Sequence, residues 1–226
     1  MKLILFVSLV LVFVLGVGYG NNEGVDYDYF HLVLQWPESY CNTGKVTCYN
    51  GRPNWFIIHG MWPQKNGYTV SCPKISNKAR YFNLEKLHDD LIASMEYYWP
   101  SLIKVENPNN KPFWSHEWSA HGSCTSFTQA EYFAKVVSIA AELPLSSKLY
   151  SAGIRPDMPT YSMDIKDEIE KAFKLTPQIR CNTDQFNKLQ LYEIIFCVDK
   201  TGTQLQNCNY KATCVREPFQ FPKNQK

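Results

Sequence analysis

The sequence lacks several features that would place it in a familiar class at once. None of its eight cysteines belongs to a Cys-x-x-Cys pair, the spacing typical of structural zinc sites, and it has no Asn-x-Ser/Thr sequence. Its formal net charge is only +2, so the protein is not a polycation that coats nucleic acid by charge alone. No long apolar run follows the first twenty residues, and we therefore expect no membrane association of the mature chain.

The N-terminus has the pattern of a secretory signal peptide. Lys2 precedes an apolar run over residues 3–17, and the small residues Gly18 and Gly20 follow it. A transmembrane anchor is the alternative, but the run is shorter than the roughly 20 residues that span a bilayer. We predict a signal peptide at residues 1–20, a single domain at residues 21–226, and a secreted protein that is extracellular or vacuolar.

The cysteines favour disulfides over a metal site. An even number of cysteines in an exported chain is typical of a disulfide framework formed in an oxidising compartment. Eight cysteines permit more than a hundred pairings, so counting alone leaves the connectivity open. All of them follow the predicted signal peptide: Cys41, Cys48, Cys72, Cys124, Cys181, Cys197, Cys208 and Cys214.

The pattern of apolar residues predicts an α+β domain. Runs rich in β-branched and aromatic residues predict strands at residues 29–36, 55–59 and 189–198, with a hairpin turn at 199–202 and a further strand at 203–206. Apolar residues at helical spacing predict helices at 84–99, 129–143 and 164–175. Strands at both ends of the chain and helices in the middle predict a central antiparallel sheet with surrounding helices, stabilised by disulfides.

Residues 113–124 carry the densest group of ionisable side chains. On an α-helix that begins near Pro112, His116, Glu117 and His121 share one arc of about 140°. Zinc binding is one alternative, but zinc-protease helices place their histidines at i and i+4, whereas these lie at i and i+5. A second alternative is that the histidines are buried core residues. Three ionisable groups on one arc favour a catalytic face, and we expect neither a metal nor another cofactor.

A second histidine segment supplies a partner. His59 lies at the predicted end of a strand, next to Gly60, where the backbone leaves room for a ligand, and Trp62 follows. Cleavage of RNA needs a base for the 2′-hydroxyl proton, an acid for the leaving 5′-oxygen and a positive group for the phosphate. Imidazole can fill the first two roles, because its unperturbed pKa lies near 6.5.

These two segments resemble the active-site signatures of the ribonuclease T2 family, especially the plant S and S-like ribonucleases. They read Phe-Ile-Ile-His-Gly-Met-Trp-Pro at residues 56–63 and Phe-Trp-Ser-His-Glu-Trp-Ser-Ala-His-Gly-Ser-Cys at residues 113–124. Residues 29–37 and 190–199 resemble an early and a late strand of the family. The resemblance implies a metal-independent endonuclease of the lyase type that acts on single-stranded RNA and yields 2′,3′-cyclic phosphates, and we expect a monomer.

The resemblance also implies a role for each matching residue. His59 matches the acid that protonates the leaving group, and His121 matches the base for the 2′-hydroxyl. His116 matches the phosphate-binding histidine, and Glu117 the carboxylate that supports the transition state. The implied base-contacting positions are Gln35, Trp62, Ser101, Ile103 and Phe113. The implied disulfides are Cys41–Cys48, Cys72–Cys124, Cys181–Cys214 and Cys197–Cys208.

Two departures from the family pattern affect these expectations. Ala120 occupies the position where the family usually has a lysine, and losing such a cation can lower the rate by on the order of 10²- to 10³-fold. We expect an attenuated enzyme in which protonated His116 carries more of the phosphate charge and activity shifts towards acidic pH. A ribonuclease-like storage or defence protein is the alternative. The missing glycosylation sequence favours the S-like branch over pistil self-incompatibility, in which an F-box protein would be the partner.

Overall fold

The strands form one antiparallel sheet. The computed structural model describes residues 24–74, 77–106 and 109–224, so the predicted signal peptide lies outside the described residues. Along the sheet the strand order is β3-β2-β1-β5-β4, and β6 pairs with β5. The strands are β1 (Tyr29–Gln35), β2 (Ile57–Lys65), β3 (Tyr68–Thr69), β4 (Gln178–Thr183), β5 (Leu189–Val198) and β6 (Leu205–Gln206).

Helices lie between the strands in sequence and confirm the predicted α+β class. The α-helices are α1 (Pro37–Cys41), α2 (Asp89–Tyr98), α3 (Lys111–Glu117), α4 (Gln129–Ala141), α5 (Leu145–Ser151) and α6 (Ser162–Phe173). Short 3₁₀ turns occupy Lys78–Arg80 and Leu84–Lys86, and a π-helical turn, Trp118–Gly122, directly follows α3.

The core fills the space between one face of the sheet and the helices. Phe30 of β1, Met61 of β2 and Phe196 of β5 are buried in one cluster with Tyr132 and Phe133 of α4. Each such side chain contributes about 1.5–3 kcal/mol when it is fully removed from water. The opposite face carries polar residues such as Gln35 and Glu193 beside the apolar pair Val33 and Ile195, and the candidate site lies on that face.

Strand β2 does not end at Gly60, as the sequence predicted, but continues to Lys65. Beyond Gly60, β2 continues to pair with β1 on one side. At its end, Gln64 and Lys65 pair with β3 on the other side. The register with β1 shifts between Ile58 and Gly60, which leaves His59 as the extra residue of a β-bulge. A bulge of this kind changes the direction of a side chain, and bulges are frequent beside active sites.

All three predicted helices differ from the prediction at a boundary. Helix α6 (Ser162–Phe173) begins and ends two residues earlier than predicted. Residues 84–99 form a 3₁₀ turn and then α2, because Leu87 and His88 are extended between them. Helix α4 begins as predicted, and Thr128 and Glu131 form a capping box at its start. It ends at Ala141, two residues before the predicted boundary, where Pro144 disfavours a helical conformation for the residue before it.

Four disulfides connect the loops to the sheet and helices. Cys72–Cys124 joins the loop after β3 to the segment that follows the π-helical turn. The other three are Cys41–Cys48, Cys181–Cys214 and Cys197–Cys208. These are the pairs that the family resemblance implies.

Candidate active site

The bulge in β2 directs His59 onto the polar face of the sheet. Its backbone carbonyl accepts a hydrogen bond from the Trp99 indole at 2.9 Å. Its ring Nδ1 lies 2.6 Å from Oε1 of Glu193 on β5, two strands away in the sheet. Backbone and ring are therefore both fixed, and Nε2 is the ring nitrogen left for a substrate.

The second histidine segment is only partly α-helical. Helix α3 ends at Glu117, and the next turn is π-helical, with the Ser123 amide donating to the Trp118 carbonyl at 2.7 Å. The predicted arc on a continuous α-helix is therefore wrong beyond Glu117, because a π-turn changes the angle between successive side chains. π-helical turns are often found at functional sites, and this one contains His121.

Trp62 lies between the two candidate acid-base histidines. Its ring centroid is 5.0 Å from that of His59 and 5.3 Å from that of His121. The Trp62 indole Nε1 also donates to Glu117 Oε2 at 3.0 Å. The structure thus brings these four predicted residues together at the junction of β2, α3 and the π-helical turn.

Gly60 allows this close approach. A Cβ atom added at Gly60 would lie 2.1 Å from Glu117 Oε2 and 2.3 Å from Trp62 Nε1. Real Cβ atoms do not approach other heavy atoms so closely, so any side chain at this position would displace the Glu117 and Trp62 pair. The sequence predicted room for a ligand beside Gly60, whereas in the structure the side chains of Glu117 and Trp62 occupy that space.

The two histidines differ in their affinity for protons. Burial opposes charge on His59, but the Glu193 hydrogen bond and charge, with help from Glu117, raise its pKa above the usual 6.5. Burial and repulsion from His116 and His59 lower the pKa of His121 to about 4. At neutral pH, these shifts favour the neutral form of His121 and the protonated form of His59.

The carboxyl group of Glu117 is buried within this set. Burial raises its pKa, whereas the positive charge of His59, the Trp62 hydrogen bond and the charge of His116 lower it in part. His116 itself is exposed on α3, beside the opening of the site. Its charge influences both Glu117 and His121, which places it near the reacting groups.

A cavity of about 420 Å³ opens next to His59. Among the predicted base-contacting residues, Gln35, Ser101, Ile103 and Phe113 line it, whereas Trp62 lies outside its wall beside His59. Within the described part of the chain, Gln35 Oε1 is buried without a hydrogen-bond partner. The full lining is Gln35, Tyr40, His59, Ser101, Leu102, Ile103, Val105, Asn109, Pro112, Phe113, His116 and Glu117.

Ala120 is half-buried in the π-helical turn, and its carbonyl accepts a hydrogen bond from the Cys72 amide at 2.7 Å. The position where the family usually has a lysine thus carries only a methyl group. A different cation lies nearby: the Arg180 guanidinium is 5.9 Å from the Trp62 ring centroid and donates to Glu193 at 3.2 Å.

Sequence analysis missed Arg180 and Glu193. Glu193 was part of a predicted strand, and as the one charged residue within residues 189–198 it carried a usable signal. A carboxylate in a buried strand is almost always paired, so Glu193 indicates that a partner lies nearby in the fold. Its partner, His59, is separated from it by 134 residues, and only the fold brings the two together.

The described part of the chain has neither a candidate metal centre nor a membrane-spanning helix. Over residues 24–74, 77–106 and 109–224, no three histidine, cysteine, aspartate or glutamate side chains are grouped so that they could hold a metal ion. Over the same residues, no helix has the length and apolar character needed to cross a membrane.

The histidine pair, the buried carboxyl group and the adjacent cavity together are typical of an enzyme that transfers protons to and from its substrate. Comparison with known proteins identifies the family. Residues 27–208 match the Ribonuclease T2 family, and the chain belongs to this family of RNA-cleaving endoribonucleases.

Plant ribonucleases are similar over most of the chain. Extracellular ribonuclease LE of Solanum lycopersicum is 38% identical over 194 residues, covering 83% of this chain and 83% of that protein. Intracellular ribonuclease LX of the same species is 38% identical over 190 residues, covering 81% and 78%. The solved structure of RNase NT in complex with 5′-AMP is 33% identical with a TM-score of 0.77, covering 88% of this chain and 99% of that chain.

Proposed function

We propose that this endoribonuclease cleaves single-stranded RNA by transphosphorylation, with His121 as the general base and His59 as the general acid, without a metal. The observation that carries the proposal is the opposite shift of the two histidine pKa values, downward for His121 and upward for His59, on either side of Trp62. A base must be neutral and an acid protonated at the same pH, and these shifts favour that combination.

The reaction follows from these protonation states. Neutral His121 takes the proton of the 2′-hydroxyl as the 2′-oxygen attacks phosphorus. The bond from phosphorus to the 5′-oxygen breaks, and that oxygen takes a proton from His59 Nε2. The products are a 2′,3′-cyclic phosphate and a free 5′-hydroxyl, and a water molecule can reverse the two proton transfers to open the cyclic phosphate. His116 as a cation and Glu117 as the protonated acid, a form that its raised pKa favours, would stabilise negative charge on the five-coordinate phosphorus.

The cavity beside His59 is the proposed base-binding site. Phe113 and Ile103 offer apolar surface for a nucleobase, and the unpartnered Gln35 Oε1 offers an acceptor for an exocyclic amine. Ser101 completes this wall, and Trp62 contacts the base from beside His59. The 5′-AMP complex of RNase NT supports a nucleotide as the occupant of a site of this kind.

We further propose that Ala120 attenuates the enzyme. The retained histidine pair and Glu117 keep the proton transfers available, but the position next to His121 supplies no cation to the transition state. Arg180 is already paired with Glu193 and is directed towards that carboxylate. A storage or defence protein of low activity is the second candidate, and Ala120 is the observation that favours it.

Cleavage of a single-stranded RNA with and without chelator, between pH 4 and 8, tests both proposals. We expect His121→Ala to abolish the activity of the wild type, and Ala120→Lys to raise kcat/KM by one to three orders of magnitude. Wild-type activity no higher than that of His121→Ala at every pH would rule out the enzyme and leave the storage or defence protein. Loss of wild-type activity in chelator would show that a metal takes part.

The proposal extends to the cellular compartment and the oligomeric state. The apolar N-terminal run and the four disulfides support entry into the secretory pathway. One similar protein is named as extracellular and another as intracellular, so we propose an extracellular or vacuolar destination without choosing between them. A monomer suffices, because every residue of the proposed site comes from one chain.

A further inference from the structure

Glu193 contacts the proposed general acid from the opposite side to the substrate. Its side chain is 3% exposed and lies on the polar face of β5. Oε1 is 2.6 Å from His59 Nδ1, and Oε2 accepts a hydrogen bond from Arg180 on β4 at 3.2 Å. One buried carboxylate therefore joins a histidine and an arginine that come from two different strands.

We propose that Glu193 is a positioning residue for His59. The positive charge of Arg180 weakens the attraction between the Glu193 carboxylate and the Nδ1 proton of His59. Glu193 accepts the Nδ1 proton of His59, fixes the orientation of the ring and leaves the Nε2 proton for the leaving 5′-oxygen. This inference rests on the proposed role of His59 as the general acid. Glu193 and Arg180 lie outside both active-site sequence segments and outside the lining of the cavity beside His59.

The geometry of the sheet supports a positioning role. Strand β1 lies between β2 and β5, so the His59 ring must reach across β1 to meet Glu193. Gln35 of β1 is the direct neighbour of Glu193 in the register, and Arg180 is its neighbour on β4. With the His59 carbonyl held by Trp99, the hydrogen bond to Glu193 selects one ring orientation among those that the bulge allows.

The groups around His59 shift its pKa in opposite directions. Burial lowers the pKa, Glu193 and Glu117 raise it, and the positive charge of Arg180 lowers it. His121 faces the same space, and its charged form is disfavoured by burial first and then by His116 and His59.

Tyr192, next to Glu193 on β5, stays neutral, because burial and the adjacent carboxylate raise its pKa. Removal of the Glu193 charge should therefore lower the pKa of His59. Removal of the Arg180 charge should raise it.

The test is the pH dependence of kcat/KM for two charge-removing variants. Glu193→Gln keeps a hydrogen-bond acceptor but loses the charge, and its descending limb at high pH should move to lower pH. Its kcat/KM at pH 7 should fall on the order of 10- to 100-fold, the worth of a hydrogen bond to a charged group. Arg180→Met keeps an apolar stem near Trp62, and its descending limb should move to higher pH.

Glu38→Gln is the matched control. Glu38 is likewise a buried carboxylate paired with an arginine, Arg52, but it lies on α1 outside the cavity wall. It should leave the pH profile unchanged, and unfolding by urea should show how much stability each variant loses. A general effect of removing buried charge would move the limbs of Glu38→Gln and Glu193→Gln alike and would overturn the proposal.

Other results separate this inference from the proposed function. A Glu193→Gln enzyme with the wild-type limb, or limbs that move in the same direction in Glu193→Gln and Arg180→Met, would remove the positioning role and leave His59 as the acid. Activity of His59→Ala equal to wild type would instead overturn the proposed function itself.

Discussion

The pH dependence of RNA cleavage gives the sharpest test of the two histidine environments. His121 must be neutral to act as the base, so kcat/KM should fall at low pH as this histidine becomes protonated. Burial and then the charges of His116 and His59 lower its pKa to about 4, from the usual 6.5 of a histidine. The acidic limb of the profile should therefore lie near pH 4.

The size of the effect at pH 5 distinguishes this environment from an ordinary one. A histidine with a pKa of 6.5 is neutral in only about 3% of molecules at pH 5, whereas one with a pKa near 4 is neutral in about 90%. The structure therefore predicts that kcat/KM at pH 5 remains close to its neutral value, about 30-fold above the value for an unperturbed base. The raised pKa of His59 favours its protonated form at both pH values.

The measurement is initial-rate cleavage of a short single-stranded RNA at subsaturating concentration, from pH 3 to 9 at constant ionic strength. Tryptophan fluorescence at each pH checks that the protein remains folded. A drop in kcat/KM of about 25-fold between pH 7 and pH 5, with the protein folded, would refute the assigned environment of His121. A profile that is nearly flat to pH 5 and falls about fivefold between pH 4 and pH 3 agrees with it.

Two further predictions concern the supporting residues. Gly60→Ala should lower kcat/KM, because its Cβ would meet Glu117, and should reduce the free energy of unfolding by about 1–3 kcal/mol, measured by urea denaturation. Unchanged kinetics in this variant would contradict the packing. His31→Leu should make the protein more resistant to acid.

Burial, then Arg180, lowers the pKa of His31 to about 4, so as pH falls the unfolded chain takes up this proton first. Between pH 7 and pH 4, the variant should lose about 3 kcal/mol less free energy of unfolding than the wild type. Equal losses in the two proteins would contradict this.

Local patterns were sufficient for several elements of the fold. Strands β1 and β5 match their predicted boundaries to within one residue at each end, because each is an apolar run bounded by strong turn or proline signals. Helix α4 begins at the predicted residue, since a capping box marks its start. The remaining boundaries depended on partners: β2 continues past Gly60 only because β1 and β3 pair with it.

The identity of the site residues was easier to predict from the sequence than their relative orientation. The segments that contain His59, Glu117 and His121 are dense in ionisable residues, and the structure brings the three together around Trp62. Their mutual angles were not predictable from a helical wheel, because the chain changes from α-helix to π-helix at Trp118. The π-helical turn contacts β2 and is followed by the Cys72–Cys124 disulfide, and neither contact appears in a helical pattern.

The raised pKa of His59 illustrates how the fold completes what the motif begins. The motif supplies an imidazole beside a glycine, and this alone would titrate near its usual range. The bulge in β2 directs the ring across β1, and there β5 presents Glu193, which Arg180 holds from β4. Four adjacent strands thus determine the charge of one ring, and an identical motif on a sheet without Glu193 would be a weaker acid catalyst at neutral pH.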